Sequence, residues 1–512
     1  MAGRLMAAGN KTRRLDAREL IELVVDPGTF ESWDGTPVVP GAGVSAEYAA
    51  DLAAAKEKSG VDEAVVTGSG LVRGRRVAVI ACEFRFLAGS IGVAAAERLV
   101  AAVERATAEG LPILAGPASG GTRMQEGTVA FLSMVKIAAA VVEHKKAGLP
   151  FLVYLRHPTT GGVFASWGSL GHFTVAEPGA LIGFLGPRVY EQLYGEPFPE
   201  GVQTGENLHR KGIVDAVIGP ERIAETVHKV LDVLLGAREV PDPVPDTDTA
   251  PAASVLATQT AWDVITASRN PERPGVRELL RHGATGVLPL SGTGEGEKDQ
   301  GLLLALARFG TAPCIVLGQD RLRQRTGEPM GPAALREARR GMALAQGLGV
   351  PLVTVIDTPG AALSQSAEER GMAGEIARSL ADLVSLKAPT VSLILGEGSG
   401  GGALALIPTD RVLTAQNGWL SPLPPEGASA IVHRDTAHAA EMAQQQGVHA
   451  AALAVNGVVD RVIAEEPDAT AEPVEFVRRV STTLEHEIIA LMRQPATRRH
   501  HRRIDRYRAL GL

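Results

Sequence analysis

The sequence predicts a layered α/β protein built as two similar domains in tandem, and three observations carry that prediction. A module of apolar strand, small-residue turn and Ala-rich helix occurs twice, about 240 residues apart. Strand-like and helix-like segments alternate through both halves, as they do where helices pack on a sheet. The 512 residues also exceed what one hydrophobic core ordinarily organises.

Taken in order, residues up to about Arg14 form a loose start, and LDARELIELVVDPGTF predicts a helix that Pro27 and Gly28 close. GSGLVRGRRVAVIACEF (Gly68 to Phe84) reads as a hairpin, two β-rich runs joined at Arg73, Gly74 and Arg75. The first module follows: LPILAGPASGGTRMQEG (Leu111 to Gly127), a helical stretch, then LPFLVYLRHPTTGGVFASW (Leu149 to Trp167). EPGALIGFLGP (Glu177 to Pro187) adds a short strand, and IAETVHKVLDVLL (Ile223 to Leu235) has amphipathic helical spacing. AREVPDPVPDTDTAPAASV (Ala237 to Val255) lacks an apolar period and predicts a semi-extended linker. The chain thus divides into a domain at 1–240, a linker at 241–260 and a domain at 261–512. From about Trp262 to Val462 the plan repeats, with VPLVTVIDTPGAALSQSAEERG (Val350 to Gly371), a helical stretch, and APTVSLILGEGSGGGALAL (Ala388 to Leu406). A charged helical segment closes the chain.

Apolar residues make up 45% and charged residues 21%, with 58 glycines, which fits an α/β protein rich in tight turns and excludes disordered or fibrous classes. Gly, Pro or charge interrupts every long apolar run, so no membrane-spanning segment is expected. The amino terminus has no apolar stretch of signal-peptide length, which predicts a cytoplasmic protein. Net charge is −7, and the basic run TRRHHRRIDRYR near the C-terminus predicts a solvated tail or helix end. Only Tyr507 stands there to stack on a base, so nucleic acid is not an expected partner. Cys82 and Cys314 lie far apart in apolar surroundings and predict buried thiols, with neither a disulfide framework nor a zinc ribbon.

Conventional catalytic groups are scarce. The 12 histidines lack HExxH spacing, so no metal is expected, and His157 and His172 are expected to be hydrogen-bonded structure. No serine occupies a G-x-S-x-G elbow, and Glu368 with Glu369 lies in a charged loop. GEGSGG (Gly396 to Gly401) fits G-x-G-x-x-G, but Pro408 ends the following helix early and Asp410 arrives too soon for a dinucleotide site. Both halves share something simpler: paired glycines at a strand-to-helix junction, about forty residues after an earlier small-residue strand end. A helix start leaves N–H groups without intrahelical partners, glycine allows close approach, and the helix dipole adds positive potential. The pattern predicts two oxyanion cradles serving a chemistry that takes no strong base from the protein.

On these residues the chain resembles a known family. Through SGGTRMQEG (Ser119 to Gly127), PTTGGVFASW (Pro158 to Trp167) and AEPGALIGFLGPRV (Ala176 to Val189), the segment from about Leu15 to Leu235 resembles the beta subunit of bacterial acetyl-CoA carboxylase carboxyltransferase. Through DTPGA (Asp357 to Ala361), AEERG (Ala367 to Gly371), GEGSGGGALAL (Gly396 to Leu406) and PPEGASAI (Pro424 to Ile431), the segment from about Trp262 to Val462 resembles the alpha subunit. The layout is similar to the single-chain carboxyltransferase subunits of propionyl-CoA carboxylases.

The resemblance implies two crotonase-like domains and transfer of a carboxyl group from carboxybiotin, carried on a separate carrier protein with its biotin carboxylase, to the α-carbon of an acyl-CoA. Acetyl-CoA giving malonyl-CoA, as in fatty acid synthesis, is the simplest case. Propionyl-CoA or another acyl-CoA, a hydratase or decarboxylase, and a non-catalytic subunit that binds coenzyme A are the alternatives. It further implies Gly161 and Gly162 at the thioester oxyanion, with Gly120, Gly121 and Arg123 in the wall that receives coenzyme A. Gly401, Gly402 and Ala403 would hold the biotin carbonyl. A homo-oligomer, dimer or hexamer, follows from active sites shared between chains. Three features depart from the family: the four-cysteine ribbon is missing, Ala362, Leu363 and Ser364 follow DTPGA where Tyr-Pro-Gly is usual, and the serine of the second glycine loop is shifted.

Overall fold

The computed structural model describes residues 14–38, 44–236, 259–327 and 329–510. The predicted linker lies outside these apart from its last two positions. The chain gathers into two compact units: one runs to Asn207 and takes in Val217–His228, the other comprises Leu208–Ala216 and the chain from Lys229 onward.

In the first unit the predicted hairpin forms from Val65–Val72 and Arg75–Cys82, paired antiparallel in unbroken register from Val65 opposite Cys82 to Val72 opposite Arg75. Its turn has two residues, Arg73 and Gly74, both at positive φ (48° and 83°), a geometry whose twist matches that of the strands. Ile113–Gly116, Phe151–Leu155 and Phe173–Ala176 then add in parallel, one after another along the same edge. Completed by Glu31–Ser32 and Ala216–Val217 at its two ends, the sheet has seven strands. Helix Ala17–Val24 begins at a reciprocal cap between Asp16 and Glu19 and buries Leu20, Ile21 and Val24.

The second unit repeats this order. Leu302–Phe309 and Ala312–Gln319 form its hairpin, and Leu352–Thr358, Thr390–Ser399, Arg411–Ala415 and Arg461–Ile463 follow in parallel. Thr285–Leu290 and Trp419–Ser421 bring it to eight strands. Its core joins Val316, Val353, Val391 and Leu413 from the sheet to Phe476, Val480 and Leu484 from the helix Pro473–Met492. Each unit is thus a layered α/β domain, and the second repeats the strand order of the first.

One expectation is corrected and another is narrowed. Met124–Lys146 is long and apolar enough to cross a membrane by length and composition, although no such segment was expected from the sequence. Ala130, Met134, Ile137, Val141 and His144 form its buried stripe at helical spacing, and Lys136 pairs with Glu97 of the neighbouring helix, as in a globular layer. Of the two readings of the basic C-terminal run, a solvated tail or a helix end, the structure shows the helix. That helix is Ala496–Ala509, with Arg499 and Arg503 buried and Arg503 donating to Asp410 at 2.7 and 3.0 Å.

Candidate functional site

Each unit builds its glycine site from two strand ends. In the first, the chain leaving Ile113–Gly116 is fastened by Ser119, whose hydroxyl donates to the Gly89 carbonyl at 2.5 Å and accepts the Gly121 amide at 3.0 Å. Gly120 donates its amide to the Ala88 carbonyl at 2.9 Å, and Ile91 donates to Gly121 at 2.9 Å. Gly121 sits at φ 110°, a backbone open only to glycine at little cost. The helix Gly161–Phe164 starts beside it, with Gly161 at φ 63°. A Cβ on Gly121 would come within 3.4 Å of the Gly161 Cα, the Gly162 nitrogen and the Thr160 oxygen. The two glycine pairs therefore pack backbone against backbone.

The second unit reproduces this at a constant offset. Gly331 answers Gly92, Gly360 answers Gly121 and Gly400 answers Gly161, each 239 positions on, with φ of −95° at the first pair, 110° and 134° at the second, and 63° and 64° at the third. Thr358 takes the role of Ser119, its hydroxyl accepting the Gly360 amide at 3.1 Å. A lone parallel bridge, Ile91 with Thr122, recurs as Met330 with Ala361. Two strand-end turns bonded in the same way mark one structural plan used twice.

This geometry revises the donors. The Gly161 amide, expected at an oxyanion, donates to the Phe184 carbonyl at 2.9 Å. As second and third residues of their helix, Gly162 and Val163 have no intrahelical acceptor. Helix Gly400–Leu404 leaves Gly401 and Gly402 in those places, whereas Ala403, fourth in line, has the Ser399 carbonyl as its helical acceptor. Gly162 thus corresponds to Gly401. The Gly162 carbonyl is held by the Ser166 hydroxyl at 2.5 Å and the Gly402 carbonyl by Gln319 Nε2 at 2.8 Å, which sets the tilt of each helix start.

Arg123, expected at coenzyme A, is 1% exposed, and its guanidinium is committed to Glu63, the Ser90 carbonyl and hydroxyl, and the Tyr48 hydroxyl. No donor is left for a ligand, so its place is in the frame behind the cradle. Glu126 is committed too, accepting from Tyr48 at 2.5 Å and from the Val93 amide at 2.6 Å. Burial, helped by the Glu126 bond, pushes the Tyr48 hydroxyl up to about 12.

His157 and His172 act as acceptors for the Leu181 and Phe151 amides, and burial pushes them down to about 4 and about 3. The glycines of the G-x-G-x-x-G match lie in or against the strand Thr390–Ser399, where Cβ atoms on Gly396 and Gly398 would strike Asp357 Oδ1 and the Trp419 carbonyl at 2.6 Å. They serve packing. Both cysteines are buried, and burial pushes the Cys82 thiol up to about 11. Among the described residues, no group of three or more His, Cys, Asp or Glu gathers as metal ligands would.

Two groups at the second cradle escaped the sequence reading. Gln319 is fully buried and bridges it, donating to Gly402 and accepting the Asp357 amide at 3.1 Å. Asp357 is 1% exposed; burial pushes its carboxyl up to about 6 against the pull of Arg321 at 3.5 Å. A lone glutamine closing the apolar run PCIVLGQ is the signal that could have marked the first.

Each of the two α/β units carries a strand-to-helix glycine turn, and among the described residues neither gathers a metal cluster. Residues 8–504 match the carboxyl transferase domain, and the chain belongs to that family, as a carboxyltransferase of the biotin-dependent acyl-CoA carboxylases. It is 61% identical over 500 residues to a "Probable biotin-dependent acyl-coenzyme A carboxylase beta3 subunit" of Mycobacterium tuberculosis, covering 98% of this chain and 99% of that protein. It is 35% identical to the acetyl-coenzyme A carboxylase carboxyl transferase subunits beta/alpha of Salinispora tropica, covering 98% and 92%. Among solved structures, transcarboxylase 12S, a hexamer with methylmalonyl-coenzyme A bound, shares the fold with a TM-score of 0.71 at 22% identity, over 94% of this chain and 91% of that one.

Proposed function

We propose that the chain moves the carboxyl group of carboxybiotin, borne on a separate carrier protein, onto the α-carbon of a short acyl-CoA, acetyl-CoA giving malonyl-CoA. The observation that carries this reading is the repeated pair of free helix-start amides, Gly162 with Val163 and Gly401 with Gly402. The first pair would offset the enolate oxygen formed when the thioester loses its α-proton. The second would offset charge on the biotin ureido oxygen as its carboxyl group departs and the freed nitrogen takes that proton. Each well-aimed donor in such a hole contributes about 3 to 4 kcal/mol. Gly120 and Gly121 form the wall behind the first pair, with Arg123 positioning them.

A homo-oligomer is part of this proposal. Phe131, Leu132 and Val135 stand 57–66% exposed on one helix of the first unit, and Ile431 with Val432 at 60–69% on one helix of the second, and exposed apolar patches of this kind mark surfaces covered by partners.

Carboxylated carrier protein with acetyl-, propionyl- or butyryl-CoA provides the test, read as the carboxylated thioester formed. Turnover fastest with acetyl-CoA supports the full proposal. Preference for propionyl-CoA would reassign the substrate, and binding of coenzyme A without turnover of any of the three would reject carboxyl transfer in favour of a non-catalytic subunit. The departure at Ala362, Leu363 and Ser364, which stand beside a cavity of about 900 Å3 where the family usually has Tyr-Pro-Gly, is the observation that favours that second reading.

A further inference from the structure

The closing helix Ala496–Ala509 is the sequence motif that carboxyl transfer leaves unused. Arg499, Arg502 and Arg506 of this helix, with Arg411, line a hollow of about 140 Å3 that also includes Asp410 and Asp460. Both carboxylates are already occupied. Asp410 accepts Arg503 through Oδ1, and the Thr390 amide and hydroxyl through Oδ2 at 2.9 and 3.1 Å. Asp460 accepts Arg411 at 3.0 Å and Arg506 through Oδ1, and the Val412 amide at 2.8 Å through Oδ2.

Positive charge is left over, and so are donors. Arg499 is 6% exposed; its terminal nitrogens are held by carbonyls of Leu491, Gln494 and Lys387, but its Nε has no acceptor, Asp410 Oδ2 standing off at 3.7 Å. Arg506 Nη1 is likewise buried without an acceptor. Burial and the nearby Arg503 hold the Arg499 guanidinium below its usual range, with Asp410 opposing them. A buried cationic donor without a partner is costly, and a guanidinium is the side chain best shaped to grip a tetrahedral oxyanion.

We propose that this hollow binds a phosphate-sized oxyanion, with Arg499, Arg502 and Arg506 supplying the donors. Its volume admits one such group and excludes a nucleoside, so a larger phosphomonoester enters by its phosphoryl end alone. The bound anion ties the closing helix to the strand-end segments that carry Asp410 and Asp460.

The full chain, titrated at constant ionic strength with inorganic phosphate and with glycerol 3-phosphate, and with chloride as the control, tests the site by calorimetry and thermal midpoint. Saturable binding of phosphate and a raised midpoint are expected. Equal affinity for the ester identifies the phosphoryl end of a larger molecule as the ligand, and phosphate alone identifies the free ion. Arg502→Gln, at an exposed position, is expected to weaken phosphate about 10-fold, the loss of one charge-assisted contact, without moving the midpoint measured in chloride. Arg506→Gln should weaken it at least as much. Phosphate binding no tighter than chloride, or unchanged in both variants, overturns the proposal.

Discussion

Gly121 stands against the amide of Gly162, so close that a Cβ on the first would lie 3.4 Å from the nitrogen of the second. At φ 110° a side chain on Gly121 would also strain the backbone. Gly121→Ala is therefore expected to lower kcat about 10²-fold, the scale of one lost oxyanion donor, while the chain still folds. Steady-state kinetics with the acyl-CoA substrate, beside a circular dichroism spectrum, check this; wild-type turnover in the folded variant would show that the Gly162 amide is not used.

Gln319 lets the two sides of the second cradle be tested. Gln319→Leu strips partners from the Gly402 carbonyl and the Asp357 amide, each worth about 1–3 kcal/mol when buried and left unmade. The expected signature is a fall in kcat with the KM for acyl-CoA unchanged, because the proposal gives the disturbed helix start to biotin. Because a loss of folded protein would also lower kcat at constant KM, the circular dichroism spectrum must match the wild type and the thermal midpoint must lie above the assay temperature; wild-type kcat in the folded variant would show that the clamp is not needed.

Arg123 should matter for stability rather than for coenzyme A. Arg123→Met leaves Glu63, 2% exposed, as a buried charge without its partner, a loss of about 3–5 kcal/mol. Denaturant titration should register that loss and a partial recovery in the double variant with Glu63→Gln. Affinity for coenzyme A in the folded fraction should stay at the wild-type value, and a large drop there would restore Arg123 to the ligand.

Asp357 predicts a pH dependence. Its carboxyl is pushed from 3.8 up to about 6 by burial, so the fold favours the neutral form. That contribution is complete below about pH 4 and is lost as pH rises through about 6, a swing of about 3 kcal/mol. Asp357→Asn keeps an acceptor for the Glu397 amide and cannot ionise. Relative to wild type, the variant should gain stability from pH 4 to pH 7; parallel pH profiles of thermal midpoint would contradict the assignment.

Much of the fold was legible because local rules decide it. Arg73–Gly74 between two β-rich runs made a hairpin, and the run from Ile223 to Leu235 made a helix with Ile223, Val227, Val230, Leu231 and Leu234 buried. The paired glycines were legible as helix starts for the same reason. Which amides remain free was not, because the Phe184 carbonyl that occupies Gly161 comes from a separate strand end, and one residue of helix register separates Gly402 from Ala403. The basic run at the C-terminus was misleading in the same way: its arginines look solvated until Asp410 and Asp460, far back in the chain, are brought beneath them.

Sequence by itself determined that this protein is two copies of one α/β plan with a glycine cradle in each, since strand period, turn chemistry and helix starts depend on neighbours along the chain. Only the tertiary structure decided which amides stay without a helical acceptor, that Arg123 braces instead of binding, and that Gln319 clamps a cradle from another strand. Those outcomes depend on hydrogen-bond partners 20 to more than 80 positions away, and a buried donor is committed by whichever acceptor folding delivers to it.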